Sequence, residues 1–188
     1  MMKAVVLDGF AFSAGDVDLT RLKSLCDITY YNRTPAEKTV KRIGSAQIIF
    51  TNKVTIDRRV IDSCPDLKYI GVLATGYNVI DTEYAREKGI CVTNIPAYST
   101  EAVAQHVFAF ILYYFSKIHA QNDSVKRGEW EQCENFCYFP ADTFELSGKT
   151  LGVLGLGSIG TRVCEIARAF GMNTLAYTRT PKKINGIK

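Results

Sequence analysis

The chain is poor in the residues that bind structural metals. It has two histidines and six cysteines among 188 residues, and Cys133-x-x-x-Cys137 stands without a second cysteine pair or a nearby histidine. A structural zinc site takes four such ligands. We therefore expect no metal centre.

Long apolar runs and a strong net charge are also missing. The most apolar stretch, residues 103–115, contains Gln105 and His106 and is shorter than the roughly 18 residues that cross a membrane. The net charge is +4 with scattered basic residues, and no signal peptide precedes the first predicted strand. We expect no membrane and no nucleic-acid partner. A cytoplasmic location is expected, with Cys91 and Cys164 as buried, reduced thiols.

What the chain does have is a glycine-rich run near its end. Residues 150–154 form an apolar strand pattern, followed by Gly155-x-Gly157-x-x-Gly160, a helix pattern over 161–170 and a second strand over 173–177. In such a βαβ unit the first glycine makes the turn, the second lets the backbone approach a pyrophosphate, and the third lets helix and strand pack. The N–H groups that begin the helix then face the phosphates. The run predicts the first βαβ of a Rossmann dinucleotide-binding domain.

The carboxylate that usually ends the second strand of a NAD site is missing. Thr178 and Arg179 follow that strand instead. A guanidinium can pair with the 2′-phosphate of NADP, which favours NADP. The alternative is that Thr178 bonds the ribose hydroxyl and Arg179 is a solvated loop residue, so NAD stays open.

The chain offers only two strands for a sheet that usually has about six. It ends at Lys188, shortly after the second strand. The hypothesis is that the nucleotide domain is truncated, or that another partner completes its sheet.

The first hundred residues alternate five strand patterns with four helix patterns, which predicts a flavodoxin-like, doubly wound parallel α/β sheet. The predicted strands cover residues 3–7, 27–31, 46–51, 69–73 and 90–93. The predicted helices cover residues 18–25, 35–43, 57–63 and 81–88, with Thr34 as one N-cap and Gly89 as one stop. Ligands of such sheets bind beyond the carboxyl ends of the strands, where the loops 51–53 and 74–78 lie.

A long helix is predicted from Ser99 or Thr100 to about His119. One apolar face is formed by residues at three- and four-residue steps, namely Val103, Val107, Phe110, Tyr114 and Ile118. The face is wide enough for two neighbours, the nucleotide domain and another subunit. Residues 127–144 are irregular and aromatic, which predicts a surface that wraps a partner. The predicted domains are 1–98 and 99–188, and a homodimer is expected.

Four segments carry a family resemblance: Leu73-Ala-Thr-Gly-Tyr-Asn-Val-Ile-Asp81, Val92-Thr-Asn-Ile-Pro-Ala-Tyr-Ser-Thr-Glu-Ala-Val-Ala-Gln-His106, Lys126-Arg-Gly-Glu-Trp130, and the run from Leu146 through the glycines. Together they resemble the D-isomer-specific 2-hydroxyacid dehydrogenases, in particular the glycerate dehydrogenase or hydroxypyruvate reductase branch. The family transfers hydride between a nicotinamide cofactor, NAD or NADP, and a small 2-oxo acid. Gln105 replaces a frequent glutamate, and Thr178 replaces the aspartate of NAD users.

The resemblance also implies roles for single residues. Backbone N–H groups of the loop 74–76 bind the substrate carboxylate beside a lysine; the implied substrate-binding residues are Lys53, Ala74, Thr75 and Gly76. The implied cofactor-binding residues are Thr75, Val103, Gly155, Gly157, Ser158, Ile159, Gly160, Thr178 and Arg179.

The family's catalytic Arg, Glu and His lie beyond the end of this chain. His106 is interpreted as structural, and His119 as a residue at a helix C-terminus. No residue of this chain is therefore assigned as catalytic, and the chain alone is expected to be inactive. The alternative function is a non-catalytic dinucleotide-sensing or corepressor-like binding protein of the same fold.

Overall fold

A computed structural model describes residues 1–11, 13, 15–181 and 183–188 of the chain. These residues divide into two compact units, Met1–Tyr98 and Ser99–Lys188.

The first unit consists of five strands and four short α-helices. The strands are β1 (Met2–Val6), β2 (Cys26–Tyr30), β3 (Ile48–Thr51), β4 (Tyr69–Val72) and β5 (Cys91–Thr93). The helices are α1 (Thr20–Leu25), α2 (Thr39–Ile43), α3 (Arg58–Asp62) and α4 (Thr82–Glu87), with single 3₁₀ turns at Gly9–Ala11 and Ala36–Lys38.

All five strands pair in parallel in the order β2-β1-β3-β4-β5. This confirms the predicted flavodoxin-like sheet. Val5 pairs with Ile49, which pairs with Ile70, so apolar residues lie side by side across three strands. Ile49 and Ile70 are fully buried because helices cover both faces of a parallel sheet.

Local signals explain where two of the helices begin and end. The Asp57 carboxylate accepts a hydrogen bond from the Val60 N–H (2.9 Å), and the Asp81 carboxylate accepts one from the Tyr84 N–H (3.0 Å). Both are N-caps. The predicted stop at Gly89 is confirmed, since its φ of +74° is a left-handed conformation that only glycine adopts at little cost.

The prediction that Thr34 caps a helix is wrong. The Thr34 hydroxyl donates to the Leu7 carbonyl at the end of β1 and accepts from Arg42 Nη1 (2.8 Å). The helical segment starts with the 3₁₀ turn after Pro35, without a side-chain cap. Thr34 therefore joins two loops at the carboxyl edge of the sheet.

The second unit has three helices and a two-stranded parallel sheet. These elements are α5 (Thr100–Ser116), α6 (Ile118–Lys126), β6 (Thr150–Leu154), α7 (Ser158–Ala169) and β7 (Asn173–Tyr177). Its core is the contact of α5 with α7, where Ala104 and Phe108 meet Val163 and Ala167.

The predicted long helix is two helices. α5 ends at Ser116, and Lys117 takes a left-handed conformation with φ of +51° before α6 begins. The Phe144 N–H donates to the Phe115 carbonyl (3.0 Å), so a passing segment takes up a carbonyl at the end of α5. His119 consequently lies in the first turn of α6 and not at a helix C-terminus.

The buried face of α5 overlaps the predicted apolar face only in part. Ala104 and Phe108 are buried, whereas Phe110 and Tyr114 are 65% and 63% exposed. α7 packs on the 104–108 side, and Val107 of the predicted stripe also packs against this core, whereas Phe110 and Tyr114 face away from it.

The prediction that Cys91 is buried is wrong, because it lies exposed on the edge strand β5. Cys164 is buried as predicted, as are Cys26 and Cys64. Burial raises the pKa of these three thiols, which keeps them protonated. None of the helices that the structure describes is both long and apolar enough to cross a bilayer.

Candidate functional site

The carboxyl edge of the first sheet is organised by one buried carboxylate. Asp8, just after β1, accepts backbone N–H bonds from Asn52 (2.8 Å), Lys53 (2.6 Å) and Val54 (3.3 Å). It is only 6% exposed. Three consecutive backbone N–H groups of the β3–α3 loop are thereby held by one carboxylate, and the Lys53 side chain lies exposed to solvent.

Asn52 extends this network to the neighbouring strand. Its side-chain amide donates to the carbonyls of Ala11 (3.1 Å) and Leu73 (3.2 Å). The loops that follow β1, β3 and β4 are therefore linked by one buried side chain.

The loop after β4 has the form of an anion site. The Thr75 hydroxyl donates to the Ile95 carbonyl (3.1 Å), and the Asn94 amide donates to the Thr75 carbonyl (2.8 Å). These bonds fix the loop while Thr75 and Gly76 stay exposed. Within the described part of the chain, no hydrogen bond takes up the backbone N–H of either residue. Two adjacent free N–H groups can bind a carboxylate without adding a competing charge.

The glycine-rich turn of the second unit has the geometry that a phosphate site needs. Gly155 has φ of +98°, which makes the sharp turn from β6 into α7. A Cβ on Gly160 would lie 2.0 Å from the Gly155 carbonyl oxygen, so only glycine allows this close packing. A Cβ on Gly157 would meet no atom within 4 Å, so the space above this residue is open.

The open space continues on both sides of the turn. A cavity of about 330 Å³ is lined by Gly155, Gly157, Tyr177, Thr178 and Arg179, among others. The two residues that replace the expected carboxylate thus border the same cavity as the glycines. Since the first turn of α7 (Ser158, Ile159 and Gly160) leaves backbone N–H groups without intrahelical partners, the cavity suits a phosphate.

A second cavity beside the turn, of about 440 Å³, includes Thr100, Ser158 and Arg162 in its lining. The Thr100 hydroxyl oxygen is buried without a hydrogen-bond partner, which is a costly arrangement. Arg162 pairs with Glu165 and Glu101 (3.0 Å each), and these carboxylates raise the pKa of its guanidinium. Val103, on α5, is partly exposed.

Neither histidine is arranged for proton transfer. His106 packs edge-on against Phe110 (4.6 Å between ring centroids), and His119 stacks on Tyr113 (4.6 Å). No described hydrogen bond or ion pair links either imidazole to a carboxylate. The described residues also contain no cluster of three potential ligands that could hold a metal ion.

The structure thus brings the implied residues together in two groups. In the first unit, Lys53 and the loop 74–76 lie at the same sheet edge. In the second unit, the glycines, Thr178 and Arg179 border one cavity. Sequence reasoning missed Asp8 and Thr100. An acidic residue directly after a buried strand could have indicated Asp8, whereas the orphaned Thr100 hydroxyl follows from packing alone.

Comparison with known proteins identifies relatives over nearly the whole chain. A family model for the catalytic domain of D-isomer specific 2-hydroxyacid dehydrogenases matches residues 5–184. A hydroxypyruvate reductase from Blautia hydrogenotrophica is 42% identical over 179 residues, which cover 94% of this chain and 56% of that protein. A glycerate dehydrogenase from Methylorubrum extorquens is 35% identical over 153 residues, covering 81% and 49%.

A solved structure agrees with the sequence comparisons. An acyclic imino acid reductase in complex with NADPH and D-Arg has a TM-score of 0.78 and 28% identity, covering 100% of this chain and 59% of that one. The chain therefore spans about half the length of the relatives that it matches.

Proposed function

We propose that this chain, which belongs to the D-isomer-specific 2-hydroxyacid dehydrogenase family, supplies the substrate-carboxylate loop and the dinucleotide-binding turn of an oxidoreductase. The proposed reaction is of the glycerate or hydroxypyruvate type, as in the two relatives named above. The proposed domains are Met1–Tyr98 for the acid and Ser99–Lys188 for the dinucleotide. Its reduced, buried thiols fit a cytoplasmic location.

The observation that carries the proposal is the turn from β6 into α7. Gly160 is too close to Gly155 for any side chain, while the space above Gly157 is open and borders a cavity. Tight packing at Gly160 together with open space at Gly157 fits a pyrophosphate at the N-terminus of α7. When bound, the nicotinamide dinucleotide supplies or accepts the hydride. Val103 and Thr75 are proposed to lie near its nicotinamide end.

The proposed substrate is a small 2-oxo or 2-hydroxy acid. Its carboxylate would accept hydrogen bonds from the N–H groups of Thr75 and Gly76, next to Ala74, which is buried. The Lys53 ammonium would add a positive charge at the same edge. Asp8 and Asn52 support both loops through the hydrogen bonds described above.

The chain is proposed to bind NADP at least as well as NAD. Arg179 borders the cavity next to the glycine turn, where it can pair with a 2′-phosphate. Titration of the chain with NADPH and NADH, followed by cofactor fluorescence, tests this. Arg179→Ala should weaken NADPH binding by about tenfold or more, since a hydrogen bond to a charged group is lost, and should leave NADH binding nearly unchanged.

Thr178→Asp is the matched variant with the opposite expected effect. A carboxylate at this position bonds the ribose hydroxyl and repels a 2′-phosphate, so preference should move toward NADH. Equal loss of both cofactors on Arg179→Ala, with strong NADH preference in the unmodified chain, would overturn the NADP proposal. If neither cofactor bound, the proposed function itself would be overturned.

The chain alone is proposed to bind but not to turn over. Neither His106 nor His119 has the carboxylate partner that a proton donor in this reaction needs. Oxidation of NADH and NADPH should therefore not occur with hydroxypyruvate or glyoxylate. Turnover at an ordinary enzymatic rate, roughly 1 s⁻¹ or more, would place a catalytic group within these residues.

A second copy of the chain is the proposed protein partner. On the segment after α6, Phe136 and Phe139 are 93% and 90% exposed, and on α5 the Phe110 and Tyr114 rings are exposed as well. Several large aromatic side chains exposed to solvent in one unit favour a protein–protein interface. Sedimentation should show a dimer, and a Phe136→Ser, Phe139→Ser double variant should shift it to monomer. Tyr98→Ser, an exposed aromatic of the other unit, is the control.

A further inference from the structure

A cavity of about 740 Å³ opens at the carboxyl edge of the first unit's sheet, in the size range of small-molecule sites. Its described lining comes from the segments that follow three strands: Asp8 after β1, Arg33 after β2, and Lys53 and Arg59 after β3. Thr75 and Gly76 do not belong to this lining, so the cavity extends away from the proposed substrate loop.

The cavity lies where the topology of the sheet favours a ligand. The chain passes from β1 to β2 on one side of the sheet and then returns to place β3 on the other side of β1. The loops that follow β1 and β3 therefore diverge and leave a crevice between them. In open parallel sheets, ligands bind in this crevice, beyond the carboxyl ends of the strands.

The charges of the lining favour an anion. Arg33, Lys53 and Arg59 take part in none of the ion pairs or side-chain hydrogen bonds that the structure describes. The two carboxylates of the lining are already bound by backbone N–H groups: Asp8 by the β3–α3 loop, and Asp57 by the Val60 N–H. Three cationic side chains, one after β2 and two after β3, therefore line the cavity without a described partner.

The rest of the lining is about half apolar, and the cavity is too large for a bare ion. Phe10, Ala11, Ala36, Val54 and Val60 contribute walls that suit the organic part of a ligand. We infer that this cavity at the β1/β3 switch point binds a small phosphate monoester, with its phosphate on the arginines and lysine and its organic part on the apolar wall. Guanidinium groups suit this role because they pair with phosphate oxygens bidentately. The cavity shares Lys53 with the proposed substrate site, but the inference does not rest on the proposed reaction.

Phenyl phosphate is a suitable probe because it combines a dianionic head with a compact apolar body. Binding to the 188-residue chain is measured by amide chemical shifts, beside inorganic phosphate (head only) and benzoate (a single carboxylate). Phenyl phosphate should bind most tightly of the three. An Arg33→Gln, Arg59→Gln variant should weaken it at least about tenfold, since hydrogen bonds between charged groups are lost.

Two controls keep this result specific. Arg21→Gln removes an exposed arginine on α1, outside the cavity, and should leave phenyl phosphate binding unchanged. An Arg33→Lys, Arg59→Lys variant retains the charge and should retain most of the affinity. Both arginines are exposed, so folding of the variants is checked by unchanged amide spectra outside the cavity.

The location of the shifts separates this site from the dinucleotide site, which also attracts phosphates. Perturbed amides should include Asn32 and Thr55, which line the cavity. NADH affinity should be the same in the arginine variants as in the unmodified chain. Shifts confined to Gly157 and Ser158, or unchanged phenyl phosphate affinity in the Gln variant, would overturn the inference while leaving the proposed function intact.

Discussion

Both units contain strand–helix–strand segments with parallel strands, but the side chains of these strands are buried to different degrees. In the first unit Ile49 and Ile70 are 0% exposed, at the centre of a five-stranded sheet. In the second unit Leu154 is 88% exposed and Leu175 is 54% exposed, on a sheet of two strands. The backbone pattern of a βαβ unit therefore forms without the burial that normally accompanies it.

This difference indicates where the stability of each unit arises. The first unit is held by apolar residues buried between two helical layers, as in other parallel sheets. A two-stranded sheet is marginal in water, so the second unit depends on the contact of α5 with α7. There Ala104 and Phe108 pack on Val163 and Ala167, and Phe108 stacks on Phe170 (5.4 Å between centroids).

The largest effect is expected from truncating a central strand residue of the first unit. Ile70→Ala should lower the free energy of unfolding by about 2–5 kcal/mol, because the site is fully enclosed and leaves a cavity. Leu154→Ala, at the end of β6 in the second unit, should change the free energy of unfolding by less than about 0.5 kcal/mol, because the Leu154 side chain is exposed.

Denaturant unfolding followed by two signals resolves the two units. Trp130 is the single tryptophan and lies in the second unit, so its fluorescence reports that unit, whereas far-UV circular dichroism reports both. Ile70→Ala should shift the dichroism transition and leave the tryptophan transition in place. Equal shifts in both signals would show that the units unfold together and would contradict this division of stability.

Within the second unit, two glycines of the turn from β6 into α7 should differ in how well they tolerate a side chain. Gly160→Ala should destabilise this unit by about 1–3 kcal/mol, since the added Cβ overlaps the Gly155 carbonyl oxygen. Gly157→Ala adds its Cβ to open space at an ordinary φ of −83° and should cost less than about 1 kcal/mol.

The measurements are tryptophan-detected unfolding and NADPH titration of both variants. Gly157→Ala should keep the fold and still weaken the dinucleotide, because its methyl group takes the room proposed for the pyrophosphate. Full NADPH affinity in a folded Gly157→Ala chain would contradict that placement.

The sequence predicts those features that depend on local backbone chemistry. The alternation of strands and helices along the chain follows from the hydrophobic patterns, and Gly89 ends a helix because its left-handed φ is a property of glycine. The positions of Gly155 and Gly160 in a strand-to-helix turn are predictable for the same reason. These signals need no knowledge of distant residues.

Features set by contacts between distant segments are not predictable in this way. Lys117 interrupts the helix although it is neither glycine nor proline, at the point where the distant Phe144 N–H bonds the Phe115 carbonyl. Periodicity places Phe108 and Phe110 on a helix but does not say which one meets α7. In the candidate sites, the loop positions follow from the sequence, whereas the support that Asp8 gives them comes from the fold.

The smallest effects on the free energy of unfolding are expected from surface ion pairs. Each unit has such pairs, and each pair should affect only the unfolding of its own unit. In the first unit Asp62 accepts from Lys88 Nζ (2.8 Å) and from the Tyr84 hydroxyl (2.7 Å), and these contacts lower the pKa of Asp62 below its ordinary 3.8. In the second unit Arg127 and then Ser124 lower the pKa of Glu129 below 4.5.

A carboxylate with a lowered pKa stabilises the folded state above its unfolded pKa and loses this contribution as the pH falls through the folded pKa. Asp62→Asn should therefore lower the midpoint of the dichroism transition slightly at neutral pH. The difference should begin to shrink as the pH falls to about 3.8 and should vanish below the lower, folded pKa of Asp62. Lys88, whose pKa is raised to about 12, stays charged throughout this window. Both partners are about half exposed, so added salt should remove most of the effect. Glu129→Gln should act in the same way on the tryptophan transition and on the second unit's share of the dichroism signal. A shift of the tryptophan transition by Asp62→Asn would show that the two surfaces are energetically linked.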